Sequence, residues 1–337
     1  MASRTGTIGQ GQDRPSWQMR FFRWQRRYAP YIFISPFFIL YAIFGFFPIL
    51  FSLYLAFHEW NPVQGLGAME FVGLENFKFI LEFSQYNDFW PALGNTFWIG
   101  IVSGLAQHLV AIPLAFILVS VLKRWRHPLT MAYFLPYITL PVAMALVFQT
   151  IFGLQFGALN QALAGLANSN WTSWLFGGLS EQLPINWLGR KENIKPALSV
   201  FVFWRYFGWN MVLYSAGLAT IPKDYYEAAE IDGANVFQKF WNISLPLIRP
   251  ITFFAVSLSI IGGMQLFDEP FILLGSSPLG GVDNAGLTAV MYLYREGFSY
   301  NSMGTAAAVS WVLFAVIATM TALQFLLTGR GGLESRE

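Results

Sequence analysis

Residues 225–246, YYEAAEIDGANVFQKFWNISLP, form the longest polar interruption in the second half of a very apolar chain. Glu227-Ala228-Ala229 is followed after three residues by Gly233, and Ile243 and then Leu245-Pro246 close the stretch. Asp224 is placed to cap a helix N-terminus, with Glu227 at the third helical position to complete a capping-box-like pair. On a helix, Ala229, Val236, Phe240 and Ile243 share one face, and Glu227, Glu230, Gln238 and Asn242 lie on the other. Gly233 weakens a single straight helix by about 1 kcal/mol relative to Ala. The spacing therefore predicts two short helices that meet at Gly233 and stop at Leu245-Pro246. On these residues alone, a surface connector and a docking element both fit.

The surrounding chain decides the setting. Of its 337 residues 55% are hydrophobic and 11% charged, where a soluble domain carries about 25% charged; its mean hydropathy is +0.48. This is an all-α polytopic membrane protein. Six apolar runs, at about 31–57, 95–122, 129–152, 197–221, 250–274 and 304–327, suffice to cross a bilayer, which takes about 20 residues each. Arg205 interrupts the fourth, and Asp268-Glu269-Pro270 falls near the end of the fifth. Pro136 and Pro141 predict a kinked third span, and Gly100-x-x-x-Gly104 allows close helix contact in the second. Residues 1–30 form a basic tail, 31–328 the six-span domain with a polar 222–250 loop, and 329–337 a short charged tail. The first tail sets Arg4, Arg14, Arg20, Arg23, Arg26 and Arg27 against Asp13 alone, a juxtamembrane pattern rather than a nucleic-acid arm. The apolar run after it is too long for a signal peptide and ends in no A-x-A site.

Six spans put both termini on one side. The two tails, the 123–128 turn and the 222–250 loop hold 14 of the 20 Lys and Arg, and the three loops opposite hold 5. The positive-inside rule makes the first set cytoplasmic. The chain has no cysteine, hence no disulfide framework, and its three histidines lack metal-ligand spacing.

The 225–246 stretch, with Asp232-Gly233-Ala234, resembles the EAA loop of the membrane subunits of binding-protein-dependent ABC importers. Three further stretches resemble carbohydrate-type permeases of the MalF, UgpA and LacF kind: Phe71-Val72-Gly73-Leu74-Glu75-Asn76-Phe77, residues 204–222, and Phe267-Asp268 followed by Gly275-Ser276-Ser277-Pro278. The last departs from the usual T-x-G-G-P. The resemblance covers roughly 31–328 and excludes the Arg-rich tail. It implies the type I importer permease fold in a bacterial or archaeal inner membrane. The implied partners are a second, non-identical permease, an ATPase dimer that binds ATP and Mg, and an extracytoplasmic sugar-binding protein. It also implies that Glu227, Ala228, Ala229, Asp232 and Gly233 couple to the ATPase. A sugar pathway is expected at Arg205, Tyr206 and Trp209 of the fourth span and at Ser259, Gly263 and Gln265 of the fifth, since sugars are held by aromatic faces and a few hydrogen-bonding groups.

Chemistry of other kinds has little foothold. No Gly-x-x-x-x-Gly-Lys loop, H-E-x-x-H or G-x-S-x-G occurs in the sequence, so no cofactor is expected in this chain itself. A membrane enzyme would need more than the lone Asp268-Glu269 pair. An ion-coupled secondary transporter would show internal repeats and intramembrane acids. An ABC importer of a non-sugar solute is the alternative nearest to the main reading.

Overall fold

The chain is nearly all helix, and the computed structural model describes residues 17–84, 87–169, 172, 174, 178, 180–275 and 279–332. Most of the basic tail, residues 276–278 of the fifth-span exit and the end of the C-terminal tail lie outside these. Two units are distinguished, residues 1–54 and 55–337.

In the first, α1 (Trp17–Tyr41) continues through a π-helical turn, Ala42–Phe46, into α2 (Phe47–Leu55). Pro36 cannot donate to the carbonyl of Ile32, one turn earlier, and Ser35 Oγ donates to that same carbonyl at 2.8 Å. The proline is thereby accommodated within an apolar helix.

The second unit opens with two antiparallel two-residue strands, β1 (His58–Glu59) and β2 (Glu70–Phe71), a small departure from the all-α expectation. Gly73 turns the chain at φ +62° into α3 (Glu75–Leu81). Asn76 then donates to the carbonyls of Ala56 and His58, both at 3.0 Å, and accepts from Thr305 at 3.2 Å. This clasp gives the 71–77 motif a structural reason: one buried amide satisfies three groups and ties its own segment to two others, 56–58 and the start of α15.

The remaining helices are α4 (Phe89–Phe116), α5 (Arg126–Ile138), α6 (Pro141–Ile151), α7 (Ala158–Asn168), α8 (Lys191–Ala219), α9 (Lys223–Ile231), α10 (Val236–Lys239), α11 (Leu245–Leu247), α12 (Arg249–Met264), α13 (Asp268–Leu274), α14 (Ala289–Tyr294) and α15 (Met303–Gly332). Three continuous runs, Trp24–Leu55, Phe89–Val121 and Met303–Thr328, are long and apolar enough to cross a membrane. Two bent pairs bring the number to five: Lys123–Ile138 with Pro141–Ile151, bent by 96°, and Val236–Leu247 with Arg249–Met264, bent by 68°. The one expected span still to be placed, the fourth, is α8, whose 29 residues extend about 43 Å. Arg205, Asn210 and its tyrosines lower its hydropathy.

Several expected boundaries are corrected. The third span breaks at Thr139-Leu140, ahead of Pro141, because the residue before a proline is pushed out of helical geometry; Leu140 has ψ 131°. Pro136 stays inside α5. The fifth span ends at Met264, not 274: residues 265–267 leave the helix, and α13 starts afresh. The intervals left between the expected spans also hold helix: 153–196 contains α7, and 275–302 contains α14 with a π-helical turn, Arg295–Ser299. The helix of the last span runs on to Gly332.

Packing centres on α8. Its Leu198, Phe201 and Val202 are buried with Ile99, Phe148, Leu266 and Leu273. Its Met211, Tyr214 and Leu218 are buried with Ala111, Phe116, Ile248 and Ala255. Gly208 lets α8 rest on the backbone of α5, where any Cβ would collide with the Tyr133 carbonyl. Gly100 and Gly263 bring α4 and α12 together in the same way, a Cβ on Gly263 lying 3.3 Å from the Cα of Gly100. Gly104 faces open space.

Candidate functional site

The 225–246 stretch does form two short helices that turn at Gly233, though its start differs from expectation. Pro222 occupies the N-cap position at φ −56°, ψ 139°, and no side chain caps the helix. Asp224 is therefore the second helical residue, favourable toward the helix dipole, and Glu227 lies too deep for a capping box. The turn is a Schellman motif. Gly233 has φ +77°, its N–H reaches the Glu230 carbonyl at 3.1 Å, and the Ala234 N–H reaches the Ala229 carbonyl at 2.8 Å. The capping box belongs to the second helix: Gln238 N–H donates to Asn235 Oδ1 at 2.9 Å, and Asn235 N–H donates to Gln238 Oε1 at 2.8 Å.

Lys239 Nζ lies 2.8 Å from Glu230 Oε1 across the turn and, with the more distant Lys123, holds that carboxyl below its ordinary range. The helix does not stop at Leu245-Pro246. It passes through a π-helical turn, Phe240–Ser244, into α11 and breaks at Ile248. The predicted apolar face is split, because the turn rotates α10 out of register with α9. Phe240 stacks obliquely on Phe116 at 5.1 Å, whereas Val236 is exposed. Tyr226 and Ser244 hydroxyls share a hydrogen bond of 2.8 Å. What remains open is a surface with Glu227, Ala228, Asp232 and Gly233 exposed, Ala229 half-buried, and Ile231 and Phe237 exposed at 88% and 69%.

A cavity of about 250 Å3 lies between α4, α5, α8 and α12. Tyr206 and Trp209 of α8, Tyr137 of α5, and Ser259 and Gly263 of α12 line it, together with Ser103, Gln107 and Asn210. Tyr137 stacks on Trp209 at 4.8 Å and meets Tyr206 edge-on at 5.9 Å, so three aromatic rings make one wall. Facing polar groups are supplied by Asn210, whose amide donates to Gln107 Oε1 at 2.9 Å. Gly100, Gly104, Ser259 and Gly263 also line a second, more apolar cavity of about 290 Å3.

Of the six pathway residues expected, Tyr206, Trp209, Ser259 and Gly263 meet at this cavity. Arg205 and Gln265 do not. The lining face of α8 runs through 202, 206, 209 and 210, which turns 205 aside. Arg205 is buried, with Nε 3.2 Å from Glu269 Oε1, and neither its Nε nor its Nη1 forms a hydrogen bond of good geometry among the described residues. Tyr206 Oη donates to the same Glu269 oxygen at 2.7 Å. Gln265 is exposed where α12 ends. Tyr137, Ser103, Gln107 and Asn210 were not anticipated. Ser103 and Gln107, one turn apart in an apolar span, were the available signal.

The description "Binding-protein-dependent transport system inner membrane component" matches residues 108–330. The chain is 33% identical over 332 residues to the arabinooligosaccharides transport system permease protein AraP of Bacillus subtilis, covering 97% of each. It is 31% identical to the lactose transport system permease protein LacF of Rhizobium radiobacter, covering 88% of this chain and 92% of the other. Its fold is that of a crystallised bacterial ABC transporter involved in import of the acidic polysaccharide alginate, with TM-score 0.73, 23% identity and 93% and 99% of the two chains covered. The chain thus belongs to the binding-protein-dependent transport system inner membrane components, the permease subunits of ABC importers.

Proposed function

We propose that this permease forms the translocation pathway for a sugar, of the di- or oligosaccharide or sugar-derivative class, handed over by an extracytoplasmic solute-binding protein. It works beside a second, non-identical permease and a pair of ATPase subunits that bind ATP and Mg. The sugar class draws support from relatives named for arabinooligosaccharides and lactose. A second crystallised neighbour, at TM-score 0.72, is in complex with a periplasmic protein bound to an alginate pentasaccharide. The observation that carries the reading is the cavity itself, with three aromatic rings on one side and the Gln107–Asn210 amides and Ser259 beside them. A sugar ring stacks its C–H face on an aromatic and exchanges hydroxyl hydrogen bonds with amides. The coupling surface around Glu227–Gly233 is where the ATPase docks, on the cytoplasmic side, and both termini share that side. ATP and sugar drive transport only by binding the inward and outward states differently.

Trp209→Ala tests the site. Loss of one stacking face weakens sugar uptake roughly tenfold, with the complex assembled and basal ATPase activity retained. Unchanged affinity and rate in Trp209→Ala and in Asn210→Ala would place the sugar on the partner permease instead.

A further inference from the structure

Helix α1 starts at Trp17, two turns ahead of the apolar run that begins at Trp24. Trp17, Arg20, Trp24, Arg27 and Tyr31 recur at alternating spacings of three and four, so they occupy one stripe of the helix, with Arg23 and Tyr28 at its flanks. The stripe rises about 21 Å and alternates aromatic with cation. Trp17 and Tyr31 are 75% and 69% exposed. The Arg27 guanidinium lies 6.0 Å from the Tyr28 ring centre, and the Trp24 and Tyr28 rings are 5.4 Å apart. No Asp or Glu occurs from residue 14 to residue 58, so nothing on this element neutralises its arginines.

Depth follows from length. The run Trp24–Leu55 has 32 residues, about 48 Å of helix, against a hydrocarbon core of about 30 Å. Its first turns therefore stand at headgroup level, where Trp and Tyr rings settle and where guanidinium groups pair with phosphate oxygens in a fork. Zwitterionic headgroups carry the same phosphate but no net charge to complement Arg20, Arg23 and Arg27, or Arg26 on the neighbouring face of the same turns.

We propose that the Trp17–Tyr31 stripe of α1 is a binding site for the headgroups of anionic phospholipids.

The assembled transporter, with this chain complete, is placed in nanodiscs of equal phosphatidylglycerol and phosphatidylcholine. After gentle detergent extraction, the lipids retained by the complex are quantified by mass spectrometry. The wild type retains phosphatidylglycerol preferentially, and high salt weakens that preference. Each arginine near an anionic surface contributes about a fivefold factor; Arg27→Gln alone lowers the preference by roughly that amount, and Gln at 20, 23, 26 and 27 together abolishes it. Lys at the four positions restores most of it, and Arg27→Gln with the Lys variant keeps the test open if the fourfold Gln variant fails to assemble. No preference in the wild type, or the same preference in wild type and Arg27→Gln, overturns the proposal. So does tighter capture of a soluble RNA oligonucleotide than of phosphatidylglycerol discs, which would make the stripe a nucleic-acid site.

Discussion

A buried arginine beside a sugar-sized cavity invites a role in recognition, yet Arg205 is turned to Glu269, and both side chains are almost fully buried, at 10% and 4% exposure. Removing one partner from such a pair leaves the other charge desolvated, so Glu269→Ala is expected to destabilise the protein by roughly 3 kcal/mol. Arg205→Met with Glu269→Leu recovers most of that, because an apolar pair of similar volume is often neutral or better. Thermal unfolding of the purified complex in one detergent measures both; equal stability of Glu269→Ala and wild type would show that the pair is idle. Glu296 gives a second test by pH. It is buried beside Tyr292 in the segment after α14, and desolvation raises its carboxyl above the ordinary 4.5, opposed only in part by Arg295. The folded chain thus keeps this proton to higher pH than the unfolded chain does. Above 4.5 and up to the raised value, folded protein binds more protons, and stability falls as pH rises. Glu296→Gln removes that slope from a plot of melting temperature against pH; identical slopes would contradict it. Arg205 and the Asp268-Glu269 pair were each conspicuous in the sequence, but their meeting was not. It depends on α13 breaking from α12 and returning against α8, a non-local event that no spacing encodes.

Local devices were far more legible at the level of elements. The turn at Gly233 was readable because a Schellman motif is built from residues within six of one another, and Gly is the residue that adopts positive φ without strain. The start of α9 was misread for an equally local reason, since Pro222 displaces Asp224 from the cap. The geometry also separates two explanations for Gly233. Its would-be Cβ meets nothing within 4 Å in this chain, so substitution is penalised here by conformation and not by crowding. Asn tolerates the left-handed region and a β-branched residue does not. Gly233→Asn is accordingly expected to keep a substantial part of transport, while Gly233→Val abolishes it by misdirecting α10, with the membrane helices still folded by circular dichroism. If both variants fail equally although both fold, the space over Gly233 is needed by the docked ATPase, and crowding at that interface is the cause.

For the whole molecule, all six spans were legible as apolar runs, the two that bend included, although α8 carries enough polar side chains into the bundle, among them Arg205, Asn210 and Tyr214, to weaken that signal. Of these, Asn210 lines the cavity beside Tyr206 and Trp209, while Arg205 and Tyr214 are held by Glu269 and His108 away from it, so the span with the weakest apolar signal is one that bears the site. Orientation rests on a different physical quantity, the distribution of basic residues. Fourteen Lys and Arg lie in the tails, the 123–128 turn and the 222–250 loop, against five on the opposite side, and loops rich in Lys and Arg stay in the cytoplasm. The chain has no cysteine, so a single introduced thiol reports its own position without background. Gln238 suits this purpose, being exposed on the first turn of α10, although its side chain completes the capping box; its loss costs about 1 kcal/mol locally and spares the membrane helices. Gln238→Cys, expressed without the ATPase so that nothing covers the loop, should stay unlabelled by an impermeant maleimide in intact cells and become labelled in inside-out vesicles. Labelling in intact cells would invert the topology, put the Glu227–Gly233 surface out of reach of ATP-hydrolysing partners, and remove the basis for assigning that surface to coupling.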